Sequence, residues 1–297
     1  MPSQNEIRQQ ITNDLIASIE KGTMPWKRPW ASDSNAPGLH TSLSTGSAYR
    51  GINQWILTAA AIRHGLTSKW WGTFNQINQA GASVQKGQKG THVVLFKKIE
   101  RERDDDGETT KDTFFMMRQF IVFNACQTTG LPQYEVGFSQ PIPCNDETYA
   151  EAQRVLDATG ADVRHGGNHA FYSPNGDYIQ LPLPQQFESP VAYWETALHE
   201  CCHWAESRVG HDRKHPDNTY GFLELVAEMG SCFLMGSLGM PTTNQASSYL
   251  SNWLQGMKGD SSFLFKASSC ASKSADFVLS FSKPVEVTEP AEEPALA

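Results

Sequence analysis

The stretch ETALHECCHWAES, residues 195–207, contains two histidines four positions apart, and a glutamate directly follows the first of them. On a helix, this spacing puts both imidazoles on one face, one turn apart, where they can bind a single Zn²⁺. The glutamate between them then points at the metal-bound water as a general base. His199 and His203 are therefore candidate metal ligands, and Glu200 is a candidate catalytic residue.

A second predicted helix follows and carries two acids four positions apart, Glu224 and Glu228, which share one face. Two histidines from one helix and an acid from the next form the three-ligand open site of catalytic zinc. By analogy with other zincins, in which a polar residue four positions after the ligand glutamate orients a motif histidine, we favour Glu224 as the ligand and Glu228 as its support. The reverse assignment stays open, as does a pair of ordinary core histidines without a metal.

The extended metzincin pattern fails in this sequence, because Glu206 and Val209 stand where that pattern needs Gly and His. His211 and His215 are therefore predicted to be loop residues. Tyr220 could lie near the metal and help to stabilise an oxyanion. The predicted strand 177–181 would offer an edge to an extended peptide substrate.

Positive charge and tryptophan are concentrated in the first 99 residues. This segment has a net charge of +7 and five of the eight tryptophans, whereas the remaining chain carries −15, for a total of −8. Stacking rings and cations together bind single-stranded nucleic acid, and no major-groove helix or zinc finger suggests a duplex reader. Trp55 and one of the neighbouring pair Trp70 and Trp71 are expected in the core. The candidate DNA-binding residues are Trp26, Lys27, Arg28, Trp30, Tyr49, Arg50, Lys69, Trp70, Trp71, Lys86, Lys89, Lys97 and Lys98.

The composition is that of a globular protein, with 39% hydrophobic and 19% charged residues in 297. An N-terminal leader and a long apolar run are both missing, which predicts a cytoplasmic protein without a membrane partner. The six cysteines show no CxxC spacing, which favours reduced thiols over a disulfide framework. These properties argue against a secreted disulfide scaffold and against a membrane protein.

Apolar periodicity and turn signals predict an α+β fold with two domains. The N-terminal domain, 1–136, is expected to hold a small antiparallel sheet, and a linker, 137–146, leads to a mostly helical second domain with a short strand pair, 147–283. An acidic tail, 284–297, is predicted to be disordered. The predicted helices are 4–20, 52–64, 147–159, 191–208, 222–238, 244–257 and 261–281, and the predicted strands are 91–99, 114–125, 169–173 and 177–181, with a charged hairpin tip at 101–112.

Several longer motifs make the chain resemble the ArdC-type antirestriction proteins of conjugative plasmids, whose N-terminal domain is shared with plasmid TraC-type primases. The resemblance implies an N-terminal domain that binds single-stranded DNA and a C-terminal zincin-like metallopeptidase domain with one Zn²⁺ per chain. It also implies protection of incoming plasmid DNA from host restriction endonucleases. The motifs that carry it are PWKRPW (25–30), YRGIN (49–53), GASVQKGQKG (81–90), VFNACQTTGLP (122–132), AFYSPNGDYIQLP (170–182), YWETALHECCHW (193–204) and ELVAEMGSCFL (224–234).

Two other functions fit the same residues. The protein could be an active zinc protease that cleaves a host protein, with DNA used only for targeting, or a DNA-coating protein whose metal site is structural or vestigial. Manganese or cobalt could occupy the same ligands. The sequence leaves open whether the chain is an enzyme, what its protein substrate is and what its oligomeric state is.

Overall fold

The structure, a computed structural model, describes residues 3–22, 24–27, 38–105, 108–131, 134, 144–211, 219–243 and 249–282. Helices and strands are both present in two domains, which confirms the predicted α+β class. Most of the predicted linker and the whole acidic tail lie outside the described residues. Within the described part of the chain, no helix combines the length and apolarity needed to cross a membrane.

The N-terminal half packs helices against a four-stranded sheet of order β1-β2-β5-β4, in which β1 and β2 are parallel and the other pairs antiparallel. A second, two-stranded sheet joins β3 to β6. The elements are α1 (Gln4–Glu20), β1 (Thr41–Ser42), α2 (Ile52–His64), β2 (Trp70–Thr73), α3 (Phe74–Gln79), β3 (Ser83–Val84), β4 (Thr91–Asp105), β5 (Glu108–Asn124) and β6 (Thr128–Thr129).

Local sequence explains where α1 begins and which face it buries. The Ser3 hydroxyl accepts from the N–H of Glu6, and the Glu6 carboxylate accepts from the N–H of Ser3, so two backbone donors at the helix start are satisfied. Ile7, Ile11 and Leu15 follow at intervals of four and are buried. The predicted amphipathic stripe is thus the face that packs on the core.

The β4–β5 hairpin is longer than predicted. Its ladder runs from Thr91 opposite Val122 to Asp105 opposite Glu108. The charged segment 101–112 was expected to form a hairpin tip, but most of it continues the two strands. Charged residues are disfavoured in strands only weakly, and backbone pairing with the partner strand overrides that preference.

The C-terminal half surrounds a short sheet with helices. β9 lies in the centre of this sheet, parallel to β7 and antiparallel to β8. The strand predicted to offer a free edge to a peptide, 177–181, is therefore paired on both sides, and that prediction was wrong. The elements are α4 (Asp146–Ala158), β7 (Asp162–His165), β8 (Phe171–Ser173), β9 (Tyr178–Leu181), α5 (Pro190–Glu206), α6 (Tyr220–Ser237), α7 (Leu250–Gly259) and α8 (Phe263–Ser280).

The two helices that carry the metal-site candidates, α5 and α6, pack closely. Ser189 caps α5 by accepting from the N–H of Ala192, and Pro190 occupies the first turn of the helix. Gly230 on α6 faces Cys202 on α5, and a side chain at Gly230 would bring its Cβ within 2.6 Å of the Cys202 sulfur. Glycine at this position therefore lets the helices approach each other.

One hydrophobic core joins the two halves of the chain. The Trp26 ring meets Trp253 edge to face, with centroids 5.9 Å apart, and Trp55 lies 4.4 Å from Phe233. Each pair places one residue from the N-terminal half against one from the C-terminal half. The two domains therefore do not each have a separate core. Residues such as Trp26 and Trp55 are buried against the C-terminal half, and this burial of apolar surface stabilises both domains.

We predict that Trp26→Ala lowers the stability of the whole protein by about 3–5 kcal/mol, because it removes a buried ring from the shared core. Urea unfolding followed by far-UV circular dichroism and by tryptophan fluorescence should show one transition moved to lower urea. Leu95→Ala, at a residue that is 50% exposed, is the matched control and should change stability little. Two separate transitions, with only one displaced, would show that the halves unfold independently.

Candidate metal centre

His199, His203 and Glu224 present ligand atoms that all lie within 4.8 Å of one another. The Glu224 carboxylate faces both imidazoles, with one oxygen 3.5 Å from Nε2 of His199 and the other 3.4 Å from Nε2 of His203. Helical spacing on α5 brings the two rings together, and α6 brings the carboxylate opposite them. Two imidazoles and a carboxylate are a donor set that suits a divalent cation such as zinc.

The remaining ring nitrogens also have acidic partners. Nδ1 of His203 lies 2.6 Å from a carboxylate oxygen of Glu206, which is 1% exposed. Nδ1 of His199 lies 3.7 Å from Glu228. A carboxylate on the second nitrogen fixes the orientation and tautomer of a metal-binding histidine. This arrangement favours Glu224 over Glu228 as the third ligand, because Glu224 alone faces Nε2 of both histidines.

The electrostatics of the centre favour a positive charge. Burial lowers the pKa of His199, but hydrogen bonds to Glu224 and Glu228 outweigh this effect and raise its pKa to about 10. Burial raises the pKa of Glu224, and contacts with the two histidines then bring it well below its ordinary value. The pKa of Glu228 falls to about 2, since His199 and Lys27 overcome its burial. The same field that holds a proton here would attract a metal cation.

A lysine from the N-terminal half completes this cluster. Nζ of Lys27 lies 2.6 Å from Glu195 and 2.7 Å from Glu228, and the lysine is 7% exposed. The second oxygen of Glu195 accepts from the N–H of Thr243 at 2.8 Å. Lys27 therefore holds the carboxylate that lies against His199, and it ties the first half of the chain to the metal centre.

A cleft of about 500 Å³ opens beside the candidate ligands. Tyr249 lines this cleft, and its hydroxyl donates to the Tyr220 hydroxyl at 3.2 Å. Tyr220 is 60% exposed and also bonds to Glu224. Tyr220 therefore lies next to one of the candidate ligands, Glu224. Glu200 follows His199 on α5 and is 8% exposed.

The helix α5 carries two further acids of the site that the sequence reasoning missed. Glu195 precedes His199 by one helical turn, and Glu206 follows His203 by three positions. Their spacing was the available signal, since i, i+3 and i, i+4 neighbours share a helix face. Glu206 had instead been considered only as the residue that breaks the metzincin pattern. His211 is buried and lies outside the ligand group, whereas His215 is outside the described residues.

Three of the candidate DNA-binding residues are buried, and their assignment was wrong. Trp26 is 2% exposed, Lys27 is 7% exposed and bound to two carboxylates, and Trp71 is 0% exposed. Their side chains fill the core or the metal centre and cannot reach a base or a phosphate. Trp55 is buried, as predicted, and Trp71 is the core member of the pair with Trp70.

Other DNA-binding candidates remain accessible. Arg50, Lys86, Lys89 and Lys97 are exposed. Lys69 is half-buried, with its ammonium 5.0 Å from the centre of the Trp70 ring. Burial raises the pKa of Tyr49 to about 12, so this phenol is a poor surface contact. The remaining candidates, Arg28, Trp30 and the side chain of Lys98, lie outside the described residues.

The paired histidines on α5 and the facing acid on α6 define the second half as a zincin-like metallopeptidase domain. Residues 150–270 match the family model of that description, and residues 5–123 match the model for the N-terminal domain of the anti-restriction factor ArdC. The chain belongs to the ArdC family of antirestriction proteins.

Solved structures and a curated relative agree with this assignment. The metal-free crystal structure of the antirestriction protein ArdC from plasmid R388 has a TM-score of 0.77 and 37% identity, covering 93% of this chain and 98% of that one. Its Mn(II)-bound structure gives 0.75 and 35%, with 94% and 99% covered. A DNA primase TraC of Escherichia coli is 34% identical over 97% of this chain, which spans only 28% of the primase.

We predict that Lys27→Met leaves two buried carboxylates without their cation, which destabilises the protein by about 3–5 kcal/mol. It should also weaken Zn²⁺ and Mn²⁺ binding by about 10–100-fold, because Glu228 no longer has a fixed position against His199. Calorimetric titration and thermal unfolding measure the two effects. In a triple variant that adds Glu195→Gln and Glu228→Gln, most of the stability should return while the affinity stays low. Wild-type metal affinity in Lys27→Met would contradict the role given to Lys27.

Proposed function

We propose that this ArdC-family protein binds single-stranded DNA without sequence preference in the cytoplasm and protects incoming conjugative plasmid DNA from host restriction endonucleases. We also propose that its zincin-like domain holds one divalent cation per chain, zinc by preference. The observation that carries the second part is the convergence of His199, His203 and Glu224 within 4.8 Å. Membership of the ArdC family and an exposed basic and aromatic surface support the first part.

The residues of the centre fit a metal. His199, His203 and Glu224 would hold it, Glu206 and Glu228 would orient the two imidazoles, and Lys27 would fix Glu228. A bound zinc ion polarises a carbonyl group and lowers the pKa of its water. The Mn(II)-bound structure of the R388 protein supports a divalent cation in this family.

We assign further residues of this chain to hydrolysis. We assign Glu200 as the general base, because it lies between the two motif histidines on α5. The Tyr220 hydroxyl, which bonds to Glu224, would donate to an oxyanion that develops beside the metal. The cleft of about 500 Å³ has room for a few residues of an extended peptide.

The β4–β5 hairpin supplies the accessible surface for DNA. Leu95 pairs with Arg118 across the two strands, so Lys97 and Phe120, two positions further along, lie on the same face. All four residues are exposed, Leu95 at 50% and Phe120 at 40%. Apolar and aromatic groups next to cations suit unpaired bases and their phosphates.

An active protease that cleaves a host protein is the second candidate function. The observation that favours it is the completeness of the centre, which has a ligand set, orienting carboxylates and a glutamate in the position of the base. A DNA-coating protein with a structural metal would not need Glu200. A substitution of Glu200 therefore distinguishes the protease from the DNA-coating protein.

We predict that the full-length protein binds single-stranded oligonucleotides more tightly than matched duplexes and that added salt weakens this binding. Lys97→Ala/Arg118→Ala should reduce the slope of log affinity against log salt by about 1.4, since each phosphate contact on a single strand contributes about 0.7. Fluorescence anisotropy across a NaCl series measures both quantities. Absence of binding by the wild-type protein would remove the basis of the DNA-protection function.

We predict that Glu200→Gln retains metal binding and stability, because it keeps the shape of the side chain and leaves the ligands intact. Two readouts are compared with those of the wild type, namely protection of DNA from restriction endonucleases in recipient cells and metal content by elemental analysis. Retained protection would support DNA coating, whereas lost protection with a full metal complement would support proteolysis. His199→Ala is the control that loses the metal itself.

A further inference from the structure

A second cleft, of about 770 Å³, lies between the two halves of the chain. Its walls come from α1, the start of α2 and β4 on one side, and from α8 of the zincin-like domain on the other. It is separate from the metal centre, because the two clefts have no described lining residue in common. The cleft contains none of the candidate metal ligands. It also contains none of the residues of the hairpin face, which are Leu95, Lys97, Arg118 and Phe120.

This cleft is lined by positive charge, whereas the protein as a whole is negatively charged. Among the described residues that line it, four are cationic and none carries a carboxylate, although the chain has a net charge of −8. Arg50 forms an ion pair with Asp276, and Lys266 lies 3.1 Å from Asp260. Arg8 and Lys273 have no acidic partner at ion-pair distance within the described residues. The cleft therefore keeps an excess of positive charge after its local ion pairs are counted.

An aromatic ring is available beside these cations. Phe96 on β4 is 41% exposed and meets the buried ring of Phe265 edge to face, with centroids 6.3 Å apart at 81°. Phe265 thus supports the Phe96 ring, and part of the surface of Phe96 stays open to solvent. Such a ring can stack on a base.

Hydrogen bonds within one wall and between the two walls hold this cleft in place. The N–H of Gly51 donates to the Ser272 hydroxyl on α8 at 3.1 Å. The Asn53 side chain accepts from the Val94 N–H at 2.9 Å and donates to the Val94 carbonyl at 2.7 Å, so it fastens the start of α2 to the outer edge of β4. Arg50 and Phe96 consequently keep fixed positions opposite α8, and ordering costs on binding are small.

We propose that this cleft is a binding site for single-stranded nucleic acid, with Phe96 stacked on a base and Arg8, Arg50, Lys266 and Lys273 in contact with phosphates. The inference rests on the proposed single-stranded DNA binding and adds that α8 of the zincin-like domain forms part of the DNA surface. An unpaired strand can turn a base toward one wall and its backbone toward the other. A duplex keeps its bases stacked inside and offers only phosphates to such a cleft.

The test compares two charge-matched double variants of the full-length protein. Lys266→Ala/Lys273→Ala removes two cations from the cleft, whereas Arg154→Ala/Lys258→Ala removes two exposed cations of the same domain that lie outside it. Affinity for a fluorescent oligothymidine is measured over a NaCl series. We expect the cleft variant to bind about tenfold more weakly and to lose about 1.4 from the salt slope, and we expect little change in the control. Equal effects of the two variants would overturn the proposal, because they would report only net charge.

The stacking role of Phe96 has its own test. Phe96→Ala should weaken oligothymidine binding about tenfold or more with an unchanged salt slope, since stacking involves no counterion release. Phe74→Ala removes another exposed ring, 52% accessible and outside the cleft, and should bind like the wild type. If Lys97→Ala/Arg118→Ala weakens binding while the cleft variants do not, the cleft proposal fails and the proposed function stands. If the wild-type protein binds no oligonucleotide, both fail.

Discussion

A lysine buried between two carboxylates is the constraint on which the centre of this protein depends. Lys27 reaches from the N-terminal half into the zincin-like domain and lies 2.6 Å from Glu195 and 2.7 Å from Glu228. A charge with so little access to water needs close partners of opposite sign. The ion pairs therefore set the position of Glu228, of the His199 ring beside it, and of the polypeptide that carries Lys27.

Besides the ion pairs of Lys27, a shared hydrophobic core also joins the two halves of the chain. Trp26, next to Lys27, packs against Trp253, and Trp55 packs against Phe233. An isolated N-terminal fragment would expose these rings to water, so properties measured on a fragment would not represent the domain in the full chain.

Local patterns predicted much of the fold and of the metal centre. The helix at 4–20 and the spacing of His199 and His203 are properties of short segments, and each was found where the sequence placed it. The strand β7 was missed because its four residues have no apolar alternation and its pairing with β9 is parallel. Parallel partners are set by tertiary packing and leave little signal in a short segment.

Long-range contacts account for the incorrect DNA-binding assignments. Lys27 was grouped with surface cations because composition cannot reveal that Glu195 and Glu228, far away in sequence, surround it. Trp70 and Trp71 are adjacent residues of one strand, and alternation sends one of them to the core, where Trp71 donates to Nδ1 of His40 at 3.0 Å. The second cleft could not be predicted from the sequence either, because its cations come from segments far apart in the chain.

The shared core also bears on how this protein is inherited. A gene segment that encoded only one half would deliver a chain with an exposed tryptophan surface and with either a stranded lysine or two unpaired acids. Separation of the two halves by recombination would therefore leave each of them less stable. The match to the Escherichia coli primase has this form, because it covers 97% of the present chain within 28% of a much longer protein.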